Sequence, residues 1–329
     1  MQSPPTPEDV LDTARLLRPH VVRTPLLENA DLNDRVGGRV LLKAEPLQHT
    51  GSFKFRGAMS RLLQLTEAER AAGVVAFSSG NHGQAVAAAG ARLGIDVRIV
   101  MPESAPAVKL ERTRDRGARA TTYDPSGPRT REEIAAEIAE REGRVLVPSY
   151  DDPYVIAGQG SAGVEVFETL AARDLVADAF LICCGGGGLT AGCALARDAL
   201  GAEATAIHTV EPAGFDDHAR SFVSGEREGI DPDATTFCDA LKSPTPGELT
   251  FPVTRERVAS GLTVDDDEVE DAMRFAFEYL RLVVEPGGAV ALAALLAGRI
   301  PSRDRTTVVM LSGGNVDATL FSAVIAPRT

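Results

Sequence analysis

Lys54 stands in Glu45-Pro-Leu-Gln-His-Thr-Gly-Ser-Phe-Lys-Phe-Arg-Gly-Ala58, between two aromatics and among Gly51, Ser52 and Gly57. A lysine in an apolar cleft beside another cation loses basicity and becomes a competent amine nucleophile. Arg56 is the candidate cation. The residues alone leave two readings open, a nucleophilic amine or a solvated lysine on a loop. Gly185-Gly-Gly-Gly-Leu189 precedes a small-residue helical segment. Consecutive glycines let backbone N–H groups approach a phosphate, and a helix N-terminus adds a favourable dipole. A tight turn would use the same residues. The segment lacks the Lys-Ser/Thr of a P-loop, and no G-x-G-x-x-G with a suitably spaced acidic residue marks a dinucleotide site.

These segments, with Ser78-Ser-Gly-Asn-His82 and Ser312-Gly-Gly-Asn315, each follow an apolar run. The spacing predicts strands over 40–44, 73–77, 96–101, 118–123, 144–147, 179–184, 204–210 and 306–311. Helices are predicted over 84–93, 107–116, 131–141, 161–172 and from Asp265 to Leu280. In the last of these Val269, Ala272, Met273, Ala276, Phe277 and Leu280 recur at helical intervals behind an acidic first turn. Short buried strands alternating with helices indicate α/β architecture with doubly wound parallel sheets. Open sheets of that kind bind ligands beyond the carboxyl ends of their strands, so four such loops would converge on one site.

The 329 residues carry 34 Lys+Arg against 47 Asp+Glu, a net charge of −13. That surplus argues against nucleic acid or an anionic membrane as partner. No apolar run approaches the ~20 residues of a spanning helix, the longest being Ala289 to Ala297. The first residues, Met1-Gln-Ser-Pro-Pro-Thr-Pro7, read as a tail and not as a secretory signal. Cys183, Cys184, Cys193 and Cys238 form no CxxC pair, so buried, reduced thiols in a cytoplasmic protein are expected.

Gly51-Ser-Phe-Lys-Phe-Arg-Gly-Ala58, Ser78-Ser-Gly-Asn-His-Gly-Gln84, Ile156-Ala-Gly-Gln-Gly160, Gly185 to Leu189 and Ser312-Gly-Gly-Asn-Val-Asp317 occur together and in order. This set resembles the fold-type-II pyridoxal-phosphate enzymes, in the threonine/serine dehydratase and serine racemase branch, over about Thr24 to Asp317. The resemblance implies two open-sheet domains: a discontinuous cofactor domain, 1–74 with 148–329, and a mobile domain, 75–147, that closes on substrate. It implies that Lys54 carries pyridoxal 5'-phosphate as a Schiff base. Phe53 would pack on one ring face and Ala240 near the other. Asn81 would bond the ring 3-hydroxyl, Gly185, Gly186, Gly187, Gly188 and Leu189 would cradle the phosphate, and Ser312 would face the pyridine nitrogen. A hydroxyl there leaves the ring largely unprotonated, which favours β-elimination over transamination.

Ser78, Ser79, Asn81 and His82 would wrap the substrate carboxylate. Ser79 stands where the dehydratases resembled commonly have Ala and the racemases Ser, so it would be the acid/base group opposite Lys54, or only a carboxylate ligand. Arg131 aligns with an arginine that can reach a substrate carboxylate, with a surface position on a helix start as the other reading. Ser243 is a further pocket candidate. Glu211, Asp217 and the Phe215 carbonyl resemble a site for Mg²⁺ or Ca²⁺, to which hard oxygen ligands are suited. The implied activity is dehydration and deamination of small β-hydroxy amino acids such as L-threonine or L-serine to a 2-oxo acid and ammonia. The alternatives are serine or aspartate racemisation and 3-hydroxyaspartate dehydration. A non-catalytic amino-acid-binding protein is argued against by the intact surroundings of Lys54. A homodimer is expected, and the chain leaves no room for a C-terminal regulatory domain.

Overall fold

A computed structural model describes residues 3–78, 80–104, 111, 113–231 and 233–326. Two sheets organise the molecule. The larger runs in the order β1-β2-β10-β7-β8-β9. Its strands are β1 (Leu26–Glu28), β2 (Arg39–Ala44), β7 (Ala179–Cys183), β8 (Ala206–Pro212), β9 (Val258–Val264) and β10 (Thr306–Leu311). Every pairing is parallel except that of β1 with β2. The smaller sheet, in the order β5-β4-β3-β6, is wholly parallel. It contains β3 (Val74–Phe77), β4 (Val97–Pro102), β5 (Arg119–Tyr123) and β6 (Val145–Leu146). In β7 every residue is buried, as a strand covered by helices on both faces must be.

Several helices differ from expectation for visible reasons. The helix expected from Ser161 begins at Pro153, capped by Asp152, and runs to Ala171. The glycines of its first turns serve close approach. A β-carbon on Gly160 would lie 2.6 Å from the Gly192 carbonyl, and one on Gly158 would lie 2.8 Å from the Arg56 carbonyl. The helix after Asp265 opens with the expected acidic first turn, where Asp265 and Glu268 form a capping box, but is regular only to Phe275. A π turn follows over Ala276–Leu280, ending at Arg281 in the left-handed region. The helix expected over 107–116 lies largely outside the described residues. Helices over Pro7–Leu17, Asp217–Ser224, Thr250–Arg257 and Pro286–Leu296 were not anticipated.

The Lys54–Leu63 helix lies between the sheets. Phe55, Met59 and Leu62 join the core of the smaller sheet with Val74, Ala76, Val86 and Ile99. Gly57 faces the other way, its N–H donating to Gln159 Oε1 at 3.2 Å. The smaller core thus recruits residues that the sequence division assigned to the larger domain. All four cysteines are buried free thiols. Among the described residues no helix is long and apolar enough to cross a membrane.

Candidate active site

The parallel order of each sheet brings the carboxyl ends of β2, β3, β7, β8 and β10 to one cleft. Lys54 is the first residue of its helix, not a loop residue. It is anchored there because Phe53 N–H donates to the Ser312 carbonyl at 3.1 Å, tying the segment to the end of β10. Lys54 Nζ donates to the Ser149 carbonyl at 2.8 Å and lies 5.1 Å from the Phe53 ring centroid. The side chain is open to the cleft on one side but surrounded by protein on the others. That desolvation lowers its pKa to about 8, against the opposing pull of the Glu285 carboxylate.

Arg56 plays no part in this, contrary to the expectation from sequence. Its side chain is fully buried and points away into a closed ionic cluster. Its guanidinium bonds Glu45 through Nε and Nη2, both at 2.8 Å, and Glu165 through Nη1 at 2.8 Å. Lys43 completes the cluster through Glu165 and the Thr24 carbonyl. Burial alone would raise the Glu45 pKa, but the Arg56 guanidinium holds it below the ordinary carboxylate range.

The glycine loop after β7 has the form of an anion cradle. Gly187 has φ 89° and is the N-cap of the Gly188–Ala199 helix. A β-carbon on Gly186 would lie 2.4 Å from the Tyr150 ring, and one on Gly187 would lie 2.7 Å from His218 Cε1. No side chain larger than hydrogen fits at either position. Ser243 and Ala240 border the same loop: a β-carbon on Gly185 would lie 3.3 Å from Ser243 Oγ and 3.6 Å from the Ala240 carbonyl. Ser312 is buried beside the Cys183 thiol at the end of β10.

On the smaller sheet, Asn81 opens the Asn81–Leu93 helix. Its Nδ2 donates to Glu285 Oε1 at 2.6 Å, and its Oδ1 accepts from Asn315 Nδ2 at 2.7 Å. Ser78 Oγ accepts the Gly80 N–H at 3.1 Å. His82 is buried, and desolvation lowers its pKa to about 3, so the ring is neutral. Its Nε2–H donates to the Val147 carbonyl at 2.8 Å, which leaves Nδ1 as an acceptor without a partner. The ring therefore has no N–H left for a substrate carboxylate, and any such contact falls to backbone amides of the loop. Arg131 is exposed, paired with Glu132 at 2.8 Å, and its Cζ lies 5.7 Å from the Phe77 ring at the end of β3. Ser79 lies outside the described residues.

Glu211 and Asp217 form the second unusual feature. Both are fully buried. Glu211 accepts the backbone N–H groups of His218 at 3.0 Å and Ala219 at 2.8 Å. Neither carboxylate oxygen of Asp217 has a partner. Burial raises the Asp217 pKa to about 7, and burial together with the Asp217 charge raises that of Glu211 well above its ordinary value. Phe215 is buried in the turn between them. Among the described residues no group of three or more His, Cys, Asp or Glu side chains gathers as a metal centre. Two buried carboxylates, one of them with both oxygens unmet, nevertheless suit a hard cation completed by a carbonyl and water.

The family of pyridoxal-phosphate dependent enzymes matches residues 17–313. The chain belongs to this family. The glycine cradle, the buried lysine of lowered pKa and the open cleft above it fit a phosphorylated aldehyde cofactor. The chain is 41% identical over 317 residues to L-threo-3-hydroxyaspartate ammonia-lyase of a Pseudomonas species, covering 96% of this chain and 97% of that protein. It is 39% identical to the serine racemase of Schizosaccharomyces pombe, covering 95% of each. Among solved structures it resembles a threonine deaminase from T.th., with 41% identity, a TM-score of 0.88 and coverage of 95% of this chain and 99% of that one. Maize serine racemase gives 34% identity and a TM-score of 0.90, with coverage of 97% and 96%.

Sequence reasoning missed Tyr150, His218, Thr250, Glu285 and Asn315. Asn315 lay within a loop already singled out, and Glu285 stands before the Pro286-Gly287-Gly288 helix start. Tyr150 and Thr250 carry no local signal, because strands distant in sequence bring them to the glycine loop.

Proposed function

We propose that this pyridoxal-phosphate dependent enzyme is an ammonia-lyase for β-hydroxy amino acids. It releases ammonia and a 2-oxo acid, with 3-hydroxyaspartate preferred over L-threonine and L-serine. The observation that carries the preference is the polar group beside the glycine loop. There burial raises the pKa of the Tyr150 hydroxyl and keeps it a neutral donor, Ser243 hydrogen-bonds it, and the Arg131 cation lies within electrostatic reach. A second substrate carboxylate would be met by that group, and a methyl group would not. The similarity to a 3-hydroxyaspartate ammonia-lyase supports the same reading.

When bound, the cofactor would supply an electron sink that makes the Cα proton more acidic and the β-hydroxyl a better leaving group. Lys54 Nζ would anchor it and would take the Cα proton, a role that suits an amine of pKa about 8. The N–H groups of Gly185 to Leu189 hold its phosphate. Phe53 and Ala240 would flank the ring, Asn81 would hold its 3-oxygen, and Ser312 would face its nitrogen. Ser78, Ser79, Asn81 and His82 wrap the substrate α-carboxylate through their loop and the N-terminus of the Asn81–Leu93 helix. Closure of residues 75–147 over the cleft would exclude water. Glu211, Asp217 and the Phe215 carbonyl would hold Mg²⁺ or Ca²⁺ and order the segment behind the glycine loop. The expected assembly is a homodimer in the cytoplasm.

The test is 2-oxo-acid release over a panel of serine and threonine enantiomers and 3-hydroxyaspartate isomers. The proposal expects the highest kcat/KM with a 3-hydroxyaspartate isomer, and Arg131→Ala to raise KM for it while leaving serine nearly unchanged. Equal loss for both substrates would overturn the role of Arg131. Faster turnover of threonine than of every 3-hydroxyaspartate isomer would overturn the preference. A second reading, racemisation, is favoured by the similarity to serine racemases and by Ser79. Ser79→Ala should abolish epimerisation and spare elimination; if both persist, Ser79 is not the acid/base group.

A further inference from the structure

His218 is a buried imidazole directly behind the glycine loop, and nothing above gives it a task. Both ring nitrogens lack a partner at full hydrogen-bonding geometry. Yet the ring lies within electrostatic reach of the Gly185 and Gly186 carbonyls. The same Gly186 carbonyl accepts Thr250 Oγ1 at 2.6 Å and, more weakly, the Gly247 N–H at 3.3 Å. A peptide unit presents its N–H and C=O in opposite directions. Amides of the loop can face an anion in the cleft only if the carbonyls of the same peptides face backwards. Backwards is where His218 and Thr250 stand. The imidazole is fixed in that position from two sides. Its backbone N–H donates to Glu211, and its ring packs against Phe222 with centroids 5.8 Å apart. Gly187 must be glycine in part because this ring and the Thr250 hydroxyl occupy the space of a β-carbon.

We propose that His218, with Thr250 beside it, is a positioning residue that sets the peptide orientation of the glycine loop for the cofactor phosphate. The imidazole meets the carbonyls from behind, so that the amides are committed to the cleft before the cofactor arrives. A buried ring without a full partner is costly. Closing that bond when phosphate draws the loop into its final geometry recovers the cost and adds to cofactor affinity. The inference rests on the reading that Gly185 to Leu189 cradle the phosphate. It predicts an effect confined to the phosphate end of the cofactor, since neither residue touches the ring, Lys54 or substrate.

The experiment measures dissociation constants of pyridoxal phosphate and of pyridoxal, which lacks the phosphate, for the full-length cofactor-free protein. His218→Leu should raise the constant for pyridoxal phosphate roughly tenfold and leave that for pyridoxal unchanged. His218→Gln, which restores a donor, should recover most of the loss. Thr250→Val should show the same selective weakening, and it decides the matter if His218→Leu does not fold. Parallel weakening of both ligands, or no change in either, in the folded variants overturns the proposal. If the wild-type protein itself binds pyridoxal as tightly as pyridoxal phosphate, the cradle reading fails, and that outcome is separate from any effect of His218.

Discussion

Two buried groups of charges sit on either side of the Lys54 cleft and differ in one respect. Arg56, Lys43, Glu45 and Glu165 form a set of two cations and two anions. The Arg56 guanidinium is matched bidentately to both carboxylates. Glu211 and Asp217 are equally buried, carry like charge and leave both Asp217 oxygens without a partner. The first cluster is closed and holds the Lys54–Leu63 helix against β2 and the Pro153–Ala171 helix. The second is open and raises both carboxyl pKa values, because two backbone N–H groups on Glu211 and the Arg220 charge near Asp217 offset only part of the loss of water. A buried charge that is fully paired is scaffold. One that is not paired marks where the protein expects a further component.

Breaking the closed cluster should have the largest effect. Arg56→Met leaves Glu45 buried without its partner and should cost about 3–5 kcal/mol, read as a lower urea midpoint. A midpoint within error of the wild type would mean that the cluster is dispensable and the contrast empty. The open pair should behave in the opposite sense. In a chelator, Asp217→Asn should melt higher than the wild type by a few degrees, on the order of 1–3 kcal/mol, since it removes one of two like charges. Added Mg²⁺ should raise the melting temperature of the wild type and not that of the variant. If Mg²⁺ stabilises neither protein, the pair is not a cation site.

The smallest effect concerns Lys54, which lies between the two. Burial sets its pKa near 8 and the Glu285 carboxylate raises it, so Glu285→Gln should move it down. The neutral amine is the reactive form. The rate at which the cofactor-free protein captures pyridoxal phosphate should therefore rise with pH through about 8 in the wild type. In the variant the rise should come earlier, by less than about one pH unit. A midpoint that moves upward, or stays fixed, would show that Glu285 does not act on Lys54 through its charge.

Much of this was legible in the chain. The strands over 40–44, 73–77 and 179–184 follow from short apolar runs, and β2, β3 and β7 lie there within a residue or two. The glycine loop was legible only beside the other motifs, because a tight turn after a buried strand uses the same residues. The errors share a cause. Arg56 was read by its nearness to Lys54 in sequence, but on a helix two residues apart means opposite faces, and the guanidinium went to the interior. The helix expected from Ser161 starts at Pro153, although the glycines of its first turns have low helical propensity. Packing against Gly57 and Gly192 outweighed it.

The sequence by itself determined which chemistry is available: an amine between aromatics, a glycine loop after a buried strand, a hydroxyl at Ser312, and carboxylates at Glu211 and Asp217. Those are properties of residue type and local spacing, fixed by covalent geometry and short-range backbone preference. Only the tertiary structure decided which groups face one another. It gave Lys54 its desolvation and Glu285 as counter-charge. It paired Asn81 with Glu285 and Asn315, set Tyr150 against the glycine loop and placed His218 behind it. Those contacts join residues far apart in sequence across two parallel sheets. They depend on strand order and on helix packing at glycine contacts, which no local pattern encodes.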